Sequence, residues 1–566
     1  MKTGRNIIQL LFLFTFIPLQ AQLPYLQKSG SVTKMIVDGK PYLMIGGEFH
    51  NSTSSSITHM ENTGIWSTIK KGNYNTIIAS ASWELVEPAE GKFNFEQIDY
   101  LIRKAQENDL KIVLIWFASW KNGISSYAPG WVKRDQKKFP LVQLSDGTKL
   151  NVLSPVGNDN AMKADAAAFS ALMRHIKDID TSHTIIMMQV ENEVGVISSP
   201  RDFSPAAQKA WRGDVPKELI DYLIAHKGKL FPELEKVWSS NGYKTKGSWE
   251  EVFGLSHTNT ENWQEYPYYT EEIFMAWHYS KYIGYIAAEG KKVLNLPMYC
   301  NAWLKSSSSK YPGKYPSGGP LPAVADIWRA GGPAIDFLAP DIYIDEYEWV
   351  LRQFSLNGNP IFIPECTFDI AKELYAISEF DAMGFGPFGL DIRSRMINFH
   401  NPDSAGLINL YKGNGILRSM DQLILNNYGS EKMRGLFVDE ESIQQSVEMG
   451  DFIIKASLMR SQPQQPVDKP GTGSGSRKTG AALIIRTGDE EFYIVGKDVM
   501  ISFDLKDKNS GLHAVTESVD EGTFVNGIWM AGRRLNGDEG YVVRFGDVNV
   551  QRIVLFKSHY DGRILY

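Results

Sequence analysis

The sequence predicts an α/β protein: a (β/α)8 TIM barrel with an additional C-terminal antiparallel β-sandwich domain. Three observations predict it. Short apolar runs alternate with amphipathic stretches through most of the chain, and polar or aromatic residues close most of those runs. Beyond about residue 430 the runs become shorter and are separated by Gly, Asp and Asn, the pattern of an antiparallel sandwich.

The elements follow in chain order. Lys2 and Arg5 precede a short apolar run from Ile7 to Leu19, and Ala21 offers a small residue at a cut site, so residues 1–21 read as a signal peptide. The run is shorter than the ~20 residues a membrane span needs. A hairpin around Val37-Asp38-Gly39-Lys40-Pro41 then opens the barrel, which is expected over residues 22–430. Its strands are expected at Leu43 to Phe49, Thr76 to Ser82, Ile112 to Phe117, Ile185 to Val190, Pro297 to Ala302, Phe337 to Tyr343, Ile361 to Glu365 and Ala382 to Gly389. Helices are expected between them, among others at Phe95 to Asn108, Ala161 to Ile179, Thr270 to Glu289 and Glu346 to Phe354. The fourth and fifth strands are too far apart for one crossover, so residues 196–268 read as an inserted lobe beside the mouth. Residues 431–566 form the expected sandwich, and 462–480, rich in Pro, Gly, Ser and Thr, a flexible loop within it.

Composition narrows the function. The 566 residues are 43% hydrophobic, enough for a large core, and the net charge is only −6. That balance argues against nucleic acid as the main partner, which needs a basic face. Aromatic residues reach 12%, and such rings stack well on sugar faces. Only Cys300 and Cys366 occur, too few for a disulfide framework or a Cys-based zinc site. No metal or phosphate-binding motif stands out, and no cofactor is expected.

Two carboxylates carry the chemistry. Gln189-Val190-Glu191-Asn192-Glu193-Val194-Gly195 ends the fourth strand, and strand alternation would turn Glu191 and Glu193 the same way. Phe362-Ile363-Pro364-Glu365-Cys366 ends the seventh, and an ionised Glu after an apolar run is costly unless it is paired or working. Glu193 and Glu365 supply the acid and nucleophile that retaining glycoside hydrolysis requires about 5–5.5 Å apart.

The Glu-Asn-Glu motif with Gly195 resembles the acid/base motif of glycoside hydrolase family 35, the β-galactosidases. Trp83-Glu84-Leu85-Val86-Glu87-Pro88 with Gly91, Phe93 and Phe95 is similar to the family's second-strand signature, and Ser125 to Val132 to the segment after strand three in families 35 and 42. The hairpin leading into Gly46-Gly47-Glu48-Phe49-His50 also fits. The resemblance spans roughly residues 30–400 and implies Glu193 as acid/base and Glu365 as nucleophile. It departs where this chain has Glu84 and Val86 in place of Asn and His. It departs again at Ser119-Trp120, where the family has a sugar-contacting Glu before the Trp. These departures mark a divergent bacterial branch.

Around the pair, Tyr343 is expected to donate its hydroxyl to Glu365, and Asn192 to hold a substrate hydroxyl. Asn301, Trp303, Glu87, Trp120, Trp131, Glu48 and His50 are further candidate binding residues, and Cys366 is expected to pack inward and stay inert. The resulting expectation is a secreted or periplasmic exo-β-galactosidase acting on plant glycans or oligosaccharides. The alternatives are a glucosyl-, mannosyl- or arabinosyl-specific relative of the same clan and a non-catalytic glycan-binding protein. The sandwich could cover the barrel's side, bind glycan or support a homo-oligomer.

Overall fold

A computed structural model describes residues 22–256, 262–265, 269–391, 404–459 and 477–559. The expected signal peptide lies outside the described residues, as do 462–476 of the expected loop. The remainder of that loop is shorter than expected, because Thr479 already begins a strand. Among the described residues no helix is long and apolar enough to cross a membrane.

Strand and helix alternate as the hydrophobic runs require. The barrel strands are β1 (Met44–Ile45), β2 (Thr76–Ser82), β3 (Lys111–Lys121), β4 (Ile185–Asn192), β5 (Met298–Trp303), β6 (Phe337–Ile342), β7 (Ile363–Cys366) and β8 (Gly384–Pro387). Each leads into a helix of the outer ring: α1 (Ile65–Lys71), α2 (Glu96–Glu107), α3 (Asp159–Ile179), α4 (Thr270–Val293), α5 (Ala325–Gly331), α6 (Tyr347–Phe354), α7 (Ile370–Phe380) and α8 (Ser404–Asn427). Adjacent strands pair in parallel from β2 through β3, β4, β5, β6, β7 and β8 to β1. Glu48, just past β1, bridges to Ile78 on β2 and to Phe388 beyond β8, and so closes the barrel. Both faces of these strands are covered, which is why they read as nearly continuous apolar runs.

Inside the barrel, Ile78, Val113, Ile115, Phe117, Ile186, Tyr299, Phe337 and Phe362 pack into one cluster. Met35 and Val37 of an N-terminal antiparallel meander join it. The lumen is therefore a packed core, and chemistry is confined to the C-terminal ends of the strands. Between β4 and α4 the inserted lobe contains the short helices Pro205–Arg212, Lys217–Ala225, Pro232–Ser240 and Trp249–Phe253.

The C-terminal strands are β9 (Met433–Asp439), β10 (Gln444–Met449), β11 (Phe452–Leu458), β12 (Thr479–Arg486), β13 (Glu491–Lys497), β14 (Val499–Leu505), β15 (His513–Val525), β16 (Ile528–Leu535), β17 (Val543–Phe545) and β18 (Asn549–Ser558). They form two antiparallel sheets, ordered β9-β12-β13-β18-β15-β16 and β10-β11-β14-β17. Leu436, Val438, Ala482 and Ile484 face the other sheet, while Phe437, Ala481, Leu483 and Ile485 join the cluster that surrounds the barrel helices.

Candidate active site

The end of β4 departs from regular strand. Glu191 and Glu193 both take left-handed backbone conformations, with φ of 63° and 44°. Such residues cost about 1–3 kcal/mol each and need local compensation. Asn301 on β5 accepts the Glu193 backbone N–H at 3.0 Å. Glu191 accepts the N–H groups of Ser119 and Trp120 at 3.1 and 2.9 Å. Gly195 has φ +143°, and a Cβ there would lie 2.4 Å from the Pro316 carbonyl carbon, so the motif's glycine permits close passage of the segment after β5.

This backbone overturns the expectation that Glu191 and Glu193 face the same way. Glu191 is fully buried against Asp165 of α3, whose oxygens also accept from Trp116 Nε1 (2.8 Å) and Ser119 Oγ (2.5 Å). Burial first, then the neighbouring Asp165 carboxylate, raises Glu191 well above the usual range, and burial raises Asp165 too. The two share a proton behind the strand. Only Glu193 belongs to the mouth.

There the side chains from the strand ends converge. Tyr343 donates to Glu365 Oε1 at 2.6 Å, as its position in the sequence predicted. Its own hydroxyl is pushed upward by burial and by the Glu365 charge. Glu193 is pushed up to about 7, chiefly by burial and then by Glu365, while the Lys121 charge pulls the other way. Lys121 Nζ lies 3.8 Å from Glu193 Oε2. Burial opposes its charge, but Glu193, Glu365, Glu48 and Asp341 together raise it. Glu48 is raised well above its usual range by burial and by Glu365. Glu365 Oε2 is buried and has no hydrogen-bond partner among the described residues.

The supporting residues divide into two groups. Asn192 Oδ1 accepts from Gln189 Nε2 (2.9 Å) and Asn301 Nδ2 (3.1 Å), and its own Nδ2 points at Glu193 Oε2 at 3.5 Å. Asn301, Glu48 and Tyr343 belong to this group, and half-buried Trp303 ends β5 beside Asp341. His50, also half-buried, donates its backbone N–H to Asp391 and tilts its ring against Phe388.

Two expectations of sugar binding, Trp120 and Glu87, need correction, and Trp131 packs beside Glu87. Trp120 is wholly buried between Tyr279 and Tyr282, with its indole N–H given to the Leu153 carbonyl. Glu87 spends both oxygens on Trp83 Nε1 and the Gly91 N–H. Trp131 gives its indole N–H to the Glu87 carbonyl and packs edge-on against Trp83 and Phe139. Trp120 and Glu87 are buried structural residues, while Trp131 keeps part of its surface exposed.

Lys121 and Asp341 were missed. A register shift between Trp116 and Lys121 turns Ser119 outward to Asp165 and Tyr282, and the residue that reaches Glu193 is Lys121. The only sequence signal was a charged residue just beyond an apolar run. Asp341 stood in plain view inside one. Cys300 and Cys366 are buried free thiols raised well above their usual range by burial, hence neutral. Among the described residues no group of three His, Cys, Asp or Glu side chains is arranged to hold a metal ion.

Residues 65–264 match the family model for β-galactosidase of glycoside hydrolase family 42, and residues 410–546 match a domain of unknown function (DUF5597). The matching glycosidase model is that of family 42 in place of family 35. No curated protein matches by sequence. Among solved structures the chain is similar to β-galactosidase from Bacillus circulans sp. alkalophilus, with 15% identity over 68% of this chain and 57% of that one, and a TM-score of 0.44. It is similar to β-galactosidase from the psychrophilic Marinomonas ef1, with 12% identity over 68% and 60% of the two chains and a TM-score of 0.42. A third is β-1,4-D-mannanase from Cryptopygus antarcticus, with 12% identity over 69% of this chain and 95% of that one, and a TM-score of 0.37. The chain spans 57% and 60% of the length of the two β-galactosidases.

Proposed function

We propose that the barrel is a retaining exo-β-galactosidase that removes terminal β-galactosyl residues from plant glycans or oligosaccharides. Glu193 gives its proton to the glycosidic oxygen while Glu365 attacks the anomeric carbon and the bond to the aglycone breaks. A glycosyl ester forms on Glu365. Glu193, now a carboxylate, takes a proton from water, which displaces Glu365 and restores the original configuration. The polypeptide does this outside the cytoplasm, after loss of residues 1–21.

One observation carries the reading. The Glu365 charge acts on Glu193, whose carboxyl is held near neutrality, while Tyr343 donates to Glu365. A carboxyl with a raised pKa beside a second carboxyl that accepts a tyrosine hydroxyl is an arrangement that suits an acid and a nucleophile. The family match supports the sugar class, because it is to β-galactosidases.

The test has two arms. Glu365→Gln and Glu193→Gln are each expected to lose at least ~10³-fold in kcat on an aryl β-galactoside. Proton NMR of the first product released should show the β-anomer. An α-anomer, or near wild-type turnover in Glu365→Gln, would defeat the mechanism. A panel of nitrophenyl β-glycosides tests the sugar: faster cleavage of glucosyl, mannosyl or arabinosyl members would reassign specificity, and binding without release from any would make the protein a glycan binder.

A further inference from the structure

The backbone around Lys121 is tied to the loop that carries Glu193. The Lys121 N–H donates to the Ser125 carbonyl at 2.8 Å, and the Ser125 N–H donates back to the Lys121 carbonyl at 3.1 Å. Asn122, next in the chain, takes a left-handed conformation (φ 48°) and donates its N–H to the Asn192 carbonyl at 3.0 Å. Gly123, also left-handed, passes so near Gly195 that a Cβ would lie 2.5 Å from the Gly195 carbonyl oxygen. The end of β3 is thereby set against Glu193 with little freedom.

The Lys121 side chain is buried, with only 5% of the residue exposed. Its Nζ lies 5.5 Å from the centre of the Phe117 ring, part of the lumen core, and 3.8 Å from Glu193 Oε2. The second distance is beyond hydrogen-bond reach, and Nζ makes no hydrogen bond among the described residues. An ammonium has three N–H donors, and burying them unmatched is costly. The same mouth holds two buried oxygens that no donor among the described residues reaches, Glu365 Oε2 and Asp341 Oδ1. A sugar hydroxyl accepts from one group and donates to another, so it answers both needs. A sugar carboxylate only accepts, and would leave those oxygens unmatched.

We propose that Lys121 is a substrate-binding residue whose ammonium donates a hydrogen bond to one hydroxyl of the sugar held between Glu193 and Glu365. The inference rests on the reading of this mouth as a galactosyl site, and its test separates the two. Aryl β-galactosides lacking the 2-, 3-, 4- or 6-hydroxyl are compared with the parent at about pH 5.5. Glu193, raised to about 7, is protonated there, so the effect of the Lys121 charge on its proton is not read. In the wild type at least one deoxy compound should lose ~10–100-fold in kcat/KM, the range for a hydrogen bond to a charged donor. Lys121→Met should lose ~10–100-fold on the parent, and no more than about 3-fold further on that deoxy compound. Losses that multiply on all four compounds would overturn the proposal, as would faster cleavage of the aryl β-galacturonide than of the galactoside. Should Lys121→Met fail to fold, Lys121→Ala, whose vacated space admits water, is expected to show the same loss of discrimination. Calorimetric binding to Glu365→Gln, with and without the Lys121 substitution, repeats the comparison without turnover. If the chain binds glycosides but cleaves none, the glycosidase reading fails and the binding ratios still decide Lys121. If another sugar is cleaved faster, the deoxy series is made on that sugar, and only the galactosyl reading fails. If no glycoside is cleaved or bound, both fail.

Discussion

At the scale of single residues, the site is a problem in placing one proton. Burial first, and then the Glu365 charge, raise Glu48 and Asp341 well above the usual carboxylate range, and Lys121 is the cation that faces them and Glu193. A proton on Glu193 lowers the negative charge gathered around Lys121 in a buried space, where unpaired charge is costly. Lys121 lowers Glu193 while burial and Glu365 raise it to about 7. A general acid works in its protonated form, so kcat/KM should be present below this value and fall as pH rises through it. Lys121→Met removes the charge that opposes protonation. The basic limb of its pH profile should shift upward by about 0.5–1 unit even if turnover falls. A downward shift would show that Lys121 acts on Glu193 by some route other than its charge.

At the scale of elements, much was legible, and the failures have physical causes. β2 begins and ends where its apolar run does, because every residue of Thr76–Ser82 is buried on a two-sided strand. β3 runs on to Lys121, past the expected end at Phe117, because an irregularity lets polar Ser119 and Lys121 find partners on opposite sides of the sheet. Periodicity cannot reveal such a flip, nor the left-handed turns at Glu191 and Glu193. The catalytic candidates were readable since strand ends mark the mouth of a barrel. Trp120 and Glu87 were misplaced since large polar-tipped side chains serve a wall as well as a cleft. A further case lies between α7 and α8. Glu373 is buried with Oε1 unpartnered, near the similarly unpartnered hydroxyl of Tyr74, and burial pushes it from 4.5 up to about 8. A carboxyl raised in the folded state contributes stability that is complete below about 4.5 and is lost as pH rises through about 8. Glu373→Gln should therefore melt close to the wild type near pH 4.5 and several degrees above it near pH 8.5, a difference of the order of a few kcal/mol. Calorimetry across that range checks it, and parallel curves would mean that Glu373 is solvated in the folded protein.

At the scale of the whole molecule, the C-terminal sheets are more than an appended lobe. The run Ala481-Ala482-Leu483-Ile484-Ile485 is continuous because β12 is buried on both faces, one against the second sheet and one against the barrel helices. The contact is specific as well as apolar. Phe437 packs on Tyr375 of α7 with ring centroids 5.2 Å apart. Arg434 grips Glu379 through Nε at 3.0 Å and a terminal nitrogen at 2.9 Å, and the Gly435 N–H donates to the same carboxylate at 3.0 Å. Thr479 Oγ1 donates to Asp369 at the start of α7, the helix that follows the Glu365 strand. Barrel and sandwich should consequently unfold as one cooperative unit. Gly435 tests the coupling, because a Cβ there would meet Ser378 Oγ at 2.5 Å and Glu379 Cβ at 2.9 Å. A branched side chain must push β9 away from α7, at a cost of about 1–3 kcal/mol by overpacking. Gly435→Val should lower the melting temperature and split the calorimetric peak, with activity lost at the lower transition as α7 comes free of the sheet. A single peak at the wild-type temperature would show that the sheet is held to the barrel by something other than this contact.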